Sequence, residues 1–232
     1  MDSITAKFQR SYVCLQKFLN TWTGEIQDRC LVDEQRKASF YVWVRYTISI
    51  RTLHQISDPH YIPDIYIIGR SCLEYHASLM GVMADPQLAT KYLEFPDRSR
   101  AYIAKVLARL GYTTWLAKEE PYLRKIFGDD WRKEARPTWH NISNLIENYL
   151  GPEERFLYWW GSQFTHGTSL SIENLQRTKP TLALFDKIIK VVFLAYGQST
   201  RDFLDFAWGP VITDDSQNCK DEFRLNVMAA FI

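Results

Sequence analysis

The chain has 232 residues, of which 46% are hydrophobic and 15% aromatic, and this composition excludes an intrinsically disordered protein. Its formal net charge of +1 gives no overall electrostatic basis for binding nucleic acid or an anionic membrane. No apolar run reaches the roughly 18 residues that a membrane-spanning helix needs. We therefore expect a folded globular protein without a membrane segment.

The N-terminus and the cysteines point to the compartment. The first dozen residues lack the basic start and apolar run of a secretory signal. The four cysteines form no C-x-x-C pair, which favours free thiols in a reducing environment over disulfides or zinc. We expect a cytoplasmic protein that binds no metal and no cofactor.

The N-terminal quarter of the chain is predicted to form two helices. Apolar residues recur with a helical period over residues 3–28. Asp33 is expected to cap a second helix that runs to about Ser57. Within it, residues 40–50 (FYVWVRYTISI) leave strand and helix open, because β-branched and aromatic residues favour a strand. The length of the segment without a turn signal favours a helix, and we interpret it so.

Proline and glycine divide the rest of the chain into further predicted helices. The third opens at Pro63-Asp64 with Asp64 as its N-cap and closes at Asp85-Pro86. The others are expected over residues 86–110 with a break at Pro96, and over 121–127, 138–151, 152–167 and 181–208. The sequence thus predicts an all-α, up-and-down bundle of about seven to eight helices. We expect one domain over residues 1–210 and a polar C-terminal tail over 211–232.

Two polar constellations recur every four residues inside these apolar segments. Arg70 and Glu74 share one face of the third predicted helix, and Tyr158, Ser162 and His166 share one face of the seventh. If the two faces meet, they form a site with a guanidinium, a carboxylate, two hydroxyls and an imidazole. On pattern alone, each face is more typical of a solvated surface, where an i,i+4 ion pair contributes only about 0.3–0.5 kcal/mol.

The order and spacing of these residues resemble the bacterial helical domain-of-unknown-function family 5677. That pattern has an R-x-x-x-E helix, a D-P break, a Trp-containing helix ending near a Tyr, and a closing Y-x-x-x-S-x-x-x-H-G. The corresponding residues are Arg70, Glu74, Asp85, Pro86, Trp139, Tyr149, Tyr158, Ser162, His166 and Gly167. The resemblance covers about residues 35–205. It implies an all-α fold and a polar site, but no established reaction.

A looser similarity is to the HEPN helical bundles, many of which are RNases in phage defence and toxin–antitoxin systems. Their R-x(4–6)-H string is matched by Arg70 and His76. Six residues along a straight helix turn His76 about 120° away from Arg70, into the apolar face. We therefore expect His166, on the other helix, to be the better partner of Arg70.

Three hypotheses follow from this set of residues. The first is a metal-independent, RNase-like hydrolase in the defence or toxin-type role that the HEPN similarity implies. In it, His166 is the general acid or base and Arg70 holds a phosphate. Glu74 orients either Arg70 or His166. Tyr158 and Ser162 would donate hydrogen bonds to the substrate.

The second hypothesis is a non-catalytic sensor that binds a nucleotide or another anion. Trp139 or Trp159 would stack on a base, although Trp139 is more typical of a core residue. The third is a buried network of Arg70, Glu74 and His166 that fixes helix packing. The expected ligand is RNA or a nucleotide, and the aromatic richness is compatible with a homodimer.

Overall fold

A computed structural model describes residues 3–58, 62–136, 141–165, 182–210 and 213–232. All regular secondary structure in these ranges is helical, which confirms the predicted all-α bundle. The described part contains ten α-helices, more than the seven to eight expected, and one π-helix. The helices are α1 Ile4–Cys30, α2 Glu34–Gln55, α3 Ile62–Ala84, α4 Pro86–Arg109, α5 Thr113–Phe127, α6 Trp131–Glu134, α7 Ile142–Tyr149, α8 Pro152–Thr165, α9 Leu182–Trp208, α10 Asp214–Glu222 and the π-helix Phe223–Met228.

Residues 40–50 form a continuous part of α2, as we interpreted them. Asp33 caps this helix as predicted, since its side chain accepts a hydrogen bond from the Arg36 amide at 2.8 Å. Trp43, Tyr46 and Ile50 recur at helical spacing and are fully or almost fully buried. Packing of this face in the core therefore overrides the strand preference of the individual residues.

The first three helices run up and down. Near the start of α1, Gln9 bonds to His54 near the end of α2, with 2.5 Å between the two atoms. Near the start of α2, the Gln35 side chain donates to the carbonyl of Val82 at 3.0 Å, and Val82 lies near the end of α3. Both helix pairs are therefore antiparallel, as short connections require.

Helix α9 completes a core of four long helices. It is antiparallel to α2, where the Trp43 indole donates to the Thr200 hydroxyl at 3.2 Å. It is parallel to α1, because Phe8 meets Phe193 at a ring distance of 5.1 Å and Arg29 lies over the Trp208 ring. The main core is built from the large apolar side chains of these four helices.

Three sequence predictions about helix ends are wrong. Helix α4 continues through Pro96, Pro121 lies inside α5 rather than at its start, and Asp64 lies within the first turn of α3. A proline removes one backbone hydrogen bond from a helix interior, and tertiary packing can offset that cost. In α4, residues on both sides of Pro96 are anchored, Ala89 in the main core and Ala101 in a second one.

This second core, which we call the satellite core, lies among α4, α5 and α6. Its buried members are Ala101, Ala104, Leu123, Trp131 and Ala135. Helix α4 therefore joins two packing units: its first half contacts α2 and α3, and its second half contacts α5 and α6.

The C-terminal residues are helical and pack on the bundle. Thr213 and Ser216 form a reciprocal capping box at the start of α10. Phe223, Val227 and Phe231 are buried in the main core, and Phe223 meets Phe18 of α1 at a ring distance of 5.3 Å. The segment treated above as a polar tail thus contributes apolar side chains to the bundle. None of the described helices combines the length and the apolar character needed to cross a membrane.

Candidate functional site

Helices α3 and α8 approach each other closely at one glycine. A Cβ atom on Gly161 would lie 2.7 Å from the backbone oxygen of Tyr66 and 2.8 Å from Cβ of Arg70. Such contacts are too short for any residue with a side chain. Gly161 therefore lets α8 lie against α3 next to Arg70.

This approach brings the two predicted polar faces together. Arg70 Nε donates to the Ser162 hydroxyl at 2.9 Å, and Arg70 Nη2 contacts Glu74 Oε1 at 2.7 Å. The Tyr158 hydroxyl lies 3.3 Å from both Arg70 Nη2 and Glu74 Oε1. The guanidinium also lies over the Tyr158 ring, 5.1 Å from its centre. We call these four residues the Arg70 cluster.

The Arg70 cluster is only partly open to solvent. The side chains of Arg70 and Glu74 are 18% and 29% exposed, and Tyr158 and Ser162 are buried. The interpretation of both faces as solvated surfaces is therefore wrong for these four residues. Pattern alone could not show this, because the partner of each face lies on a helix almost 90 positions away in the chain.

Electrostatics within the cluster hold its members in defined states. Burial raises the pKa of Tyr158, the hydrogen bond from Arg70 lowers it, and the charge of Glu74 raises it. The tyrosine therefore stays protonated and can donate to Glu74. The Ser162 hydroxyl donates to the backbone oxygen of Tyr158 at 2.9 Å while it accepts from Arg70. Ser162 thus orients the guanidinium and has its own proton committed to the helix.

One nitrogen of the guanidinium has no hydrogen-bond partner among the residues that the structure describes. Nε and Nη2 of Arg70 bind the other members of the cluster, whereas Nη1 forms no hydrogen bond with any described residue. A guanidinium nitrogen without a protein partner can donate to an external oxyanion. Within the described part of the chain, the cluster is therefore an oriented guanidinium with one donor left for a ligand.

Two predicted site residues, Trp139 and His166, lie outside the described residues. His76 is described and does not join the cluster: it is buried against α9, with Nδ1 3.0 Å from the carbonyl oxygen of Ala195. The R-x5-H string therefore does not bring Arg70 and His76 to a common site. In the described part of the chain, no group of three His, Cys, Asp or Glu side chains could hold a metal ion.

Sequence reasoning missed the close-contact glycine next to the cluster and found only part of the exposed aromatic surface. Gly161 was not singled out, although a glycine inside a helix is costly and signals a close backbone approach. The aromatic surface consists of Phe156 and Trp159 on α8, of which only Trp159 was predicted to stack on a base. Phe156 is 55% and Trp159 51% exposed, and Trp159 meets the Tyr158 ring at 5.4 Å. Trp159 therefore offers an open ring face beside the cluster.

The comparisons with known proteins agree with the resemblance seen in the sequence. The model of a family described as being of unknown function, DUF5677, matches residues 39–180 and so spans α8 and the polar residues of both constellations. Neither the curated proteins nor the solved structures contain a match to the chain. The looser HEPN similarity is not among the findings. The matched region covers more than half of the chain, which therefore belongs to this family of unknown function.

Proposed function

We propose that the protein is a metal-independent, RNase-like hydrolase and that the Arg70 cluster binds the phosphate of the scissile bond. The observation that carries this proposal is a guanidinium held by three partners, whose Nη1 donor has no partner among the described residues. We assign the enzyme a defence or toxin-type role, in which its substrate is RNA. His166, four positions after Ser162, is assigned the proton transfers.

The held guanidinium suits transition-state stabilisation. Its fork is planar and permanently charged, which fits two oxygens of a phosphate. The hydrogen bonds that the guanidinium donates to Ser162, Tyr158 and Glu74 already fix its orientation, so little reorganisation is needed when charge develops on the phosphate. Glu74 cancels the charge of Arg70 at long range. Recognition therefore depends on a direct hydrogen bond rather than on the overall field.

The proposed reaction uses a nucleophile that RNA itself supplies. His166 takes the proton of the ribose 2′-hydroxyl, and the 2′-oxygen attacks the adjacent phosphorus. The bond from phosphorus to the 5′-oxygen breaks, and that oxygen receives a proton from the imidazolium. The products are a 2′,3′-cyclic phosphate and a 5′-hydroxyl end. An imidazole titrates near neutral pH and can serve in both steps.

The test is cleavage of a defined RNA by the pure protein in the presence of a chelator. We expect the His166→Ala substitution to lower the rate by about 10²-fold or more, the usual contribution of a general acid or base. Arg70→Lys keeps the charge but loses the fork, and should lower the rate by about tenfold. Arg124→Lys changes another i,i+4 ion pair, on α5, and should not change the rate.

Two results would refute this assignment. Cleavage that is unchanged in His166→Ala would remove the proposed acid–base role. Cleavage that Arg70→Lys and Arg124→Lys affect equally would remove the phosphate-binding role of the cluster. Product analysis adds a third check, since a 3′-hydroxyl end would require a different nucleophile.

A second candidate function is a non-catalytic sensor that binds a nucleotide or another anion. It is favoured because the side chains of the Arg70 cluster are engaged with one another. Each member of the Arg70 cluster bonds to at least two others, and the Ser162 proton is donated to the backbone oxygen of Tyr158. Exposed Trp159 could stack on a base while Arg70 Nη1 binds a phosphate.

This candidate predicts stabilisation of the fold without turnover. A nucleotide present at 100 times its Kd should raise the free energy of unfolding by about 2.7 kcal/mol. The increase should fall in both Trp159→Ala and Arg70→Lys, and the nucleotide should be recovered intact. Binding that is insensitive to both substitutions would place the ligand elsewhere.

A further inference from the structure

A large cavity lies between the main core and the satellite core. It is bordered by α2, α3, α4 and α5 and has a volume of about 700 Å³. Packed protein interiors leave few voids larger than a water molecule, whereas ligand pockets typically span about 300–1,000 Å³. The cavity is therefore of ligand size rather than a packing defect. It is separate from the Arg70 cluster, none of whose members lines it.

The walls of this cavity are rich in aromatic rings. Its aromatic lining consists of Tyr41, Tyr75, Tyr92, Phe95 and Trp115. Two of its large apolar side chains remain well exposed, Tyr41 at 42% and Ile103 at 47%. Flat, apolar walls of this kind favour a flat ring, because stacked or edge-on aromatic contacts add to the gain from burial.

The charged groups of the lining have one sign. Two arginines, Arg45 and Arg100, line the cavity, and no carboxylate of the described residues does. Arg100 is paired with Glu119 and lies 4.4 Å from the centre of the Tyr122 ring. Arg45, in contrast, forms no ion pair or hydrogen bond with any described residue.

The guanidinium of Arg45 acts on the cavity wall. Burial raises the pKa of Tyr75, and the positive charge of Arg45 acts in the opposite direction. The same pair of influences applies to Tyr92. An exposed arginine with no carboxylate partner among the described residues thus stands beside two partly buried phenol rings.

We propose that this cavity binds a small, flat aromatic anion such as an aromatic carboxylate. Its ring would lie among Tyr75, Tyr92 and Trp115, and its carboxylate would bind Arg45. This inference does not depend on the proposed hydrolase or on the Arg70 cluster.

Three indole derivatives that differ in charge make a direct test. Indole-3-acetate is an anion, indole-3-acetamide is neutral and tryptamine is a cation, and all share the ring. Binding to the full-length protein is measured by calorimetry and by saturation-transfer NMR. We expect indole-3-acetate to bind about fivefold more tightly than the amide, as one charge-assisted contact at a partly exposed site allows. Tryptamine should bind most weakly.

Substitutions then locate the site. Arg45→Gln should bring the affinity for indole-3-acetate down to that for the amide, while Arg45→Lys should keep the preference for the anion. The matched control is Arg51→Gln, an exposed arginine on α2 that does not line the cavity. It should leave all three affinities unchanged. Ile103→Trp, at an exposed position of the wall, should place a second indole ring in the cavity and weaken the binding of all three ligands.

Several results would overturn the proposed binding of an aromatic anion. The proposal fails if none of the three indoles binds at millimolar concentration, if tryptamine binds as tightly as indole-3-acetate, or if Ile103→Trp binds normally. Should Ile103→Trp fail to fold, Arg45→Gln alone decides, because its exposed side chain is dispensable for packing. Sedimentation adds a further check: a dimer that Ile103→Trp dissociates would show that a second copy covers the cavity, and this would also overturn the proposal.

Discussion

The Arg70–Glu74 pair of the bundle and the Arg124–Glu120 pair beside the satellite core have closely similar geometry and different surroundings. Both are i,i+4 pairs, with N–O distances of 2.7 and 2.9 Å. The arginine side chain is 18% exposed in the first pair and 44% exposed in the second. A neighbouring helix covers Arg70, whereas the partners of Arg124 among the described residues are Glu120 of its own helix and exposed Asp129. The four-residue spacing therefore creates each ion pair, and the presence or absence of a helix packed over the pair determines its exposure and its further contacts.

The two packing units are stabilised in correspondingly different ways. The main core buries many large side chains from four long helices, whereas the satellite core has five buried members. Ion pairs and hydrogen bonds surround the satellite core instead. Every carboxylate between Lys91 and Arg136 bonds to an arginine, a lysine or a tyrosine, namely Glu94, Asp97, Glu119, Glu120, Asp129, Asp130 and Glu134. The acidic side chains of this stretch are thus all engaged within the protein, mainly by Arg98, Arg100, Arg124 and Lys133.

The largest expected effect separates the two units. Trp131→Ala removes the largest side chain of the satellite core and should cost about 3–5 kcal/mol. Because the satellite core is small, we expect hydrogen exchange to accelerate mainly in α5, α6 and the second half of α4. The matched substitution Trp43→Ala removes an equally buried tryptophan from the main core and should accelerate exchange in all four long helices. Equal loss of protection in both variants would mean that the units unfold together.

The second effect tests the close approach of α3 and α8. Gly161→Ala places a methyl group against backbone and should cost about 1–3 kcal/mol, as overpacking does. The control is Gly24→Ala inside α1, where nothing lies within 4 Å of an added Cβ. It should instead stabilise the protein by about 0.5–1 kcal/mol, the usual difference between glycine and alanine in a helix. Urea unfolding measures both changes. Equal effects at the two glycines would contradict the geometry that positions the Arg70 cluster.

The third effect compares the two ion pairs directly. Arg70→Ala leaves Glu74 and two buried hydroxyls with a lost partner, and should cost about 1–3 kcal/mol. Arg124→Ala removes an exposed cation and should change stability by less than about 1 kcal/mol. A double-mutant cycle with the glutamate of each pair isolates the pairwise energy. If both cycles gave the same small coupling, the packing of α8 over Arg70 would contribute nothing to the pair.

Part of this comparison was predictable from the sequence. Asp33 and the Asp85-Pro86 break located the ends of α2 and α3, because caps and prolines act through local backbone chemistry. The same local rules failed at Pro96 and Pro121, where packing on both sides holds a helix together across a proline. Local signals thus identified helices well and misplaced some of their ends.

The candidate site was predictable only as two separate faces. The four-residue spacing indicated which side chains share a face, but contact between the faces depends on Gly161 and on the path of the chain between α3 and α8. The aromatic cavity had no sequence signal at all. Its lining comes from four helices whose spacing in the chain follows no motif, so only the packed structure brings Arg45 and Trp115 to one wall.

The smallest expected effect is a dependence of stability on pH that is confined to the main bundle. Burial lowers the pKa of His76 below its ordinary value of 6.5, although the Ala195 carbonyl and the charges of Glu154 and Asp202 act in the opposite direction. Burial lowers the pKa of His54 as well. Below pH 6.5 the unfolded chain therefore binds protons that the folded chain does not, and stability falls as the pH falls.

Since residues 91–136 contain no histidine, this loss should be confined to the main bundle. Urea midpoints should decrease between about pH 7.5 and pH 5.5, the range in which a histidine changes charge. His76→Gln removes one of the two shifted groups and should flatten the dependence, and hydrogen exchange corrected for its intrinsic pH dependence should report faster opening of α2 and α3 but not of α5. A midpoint that rises on acidification would mean that His76 gains a proton on folding. The negative charges of Glu154 and Asp202 would then outweigh burial, and the sign of the linkage would be reversed.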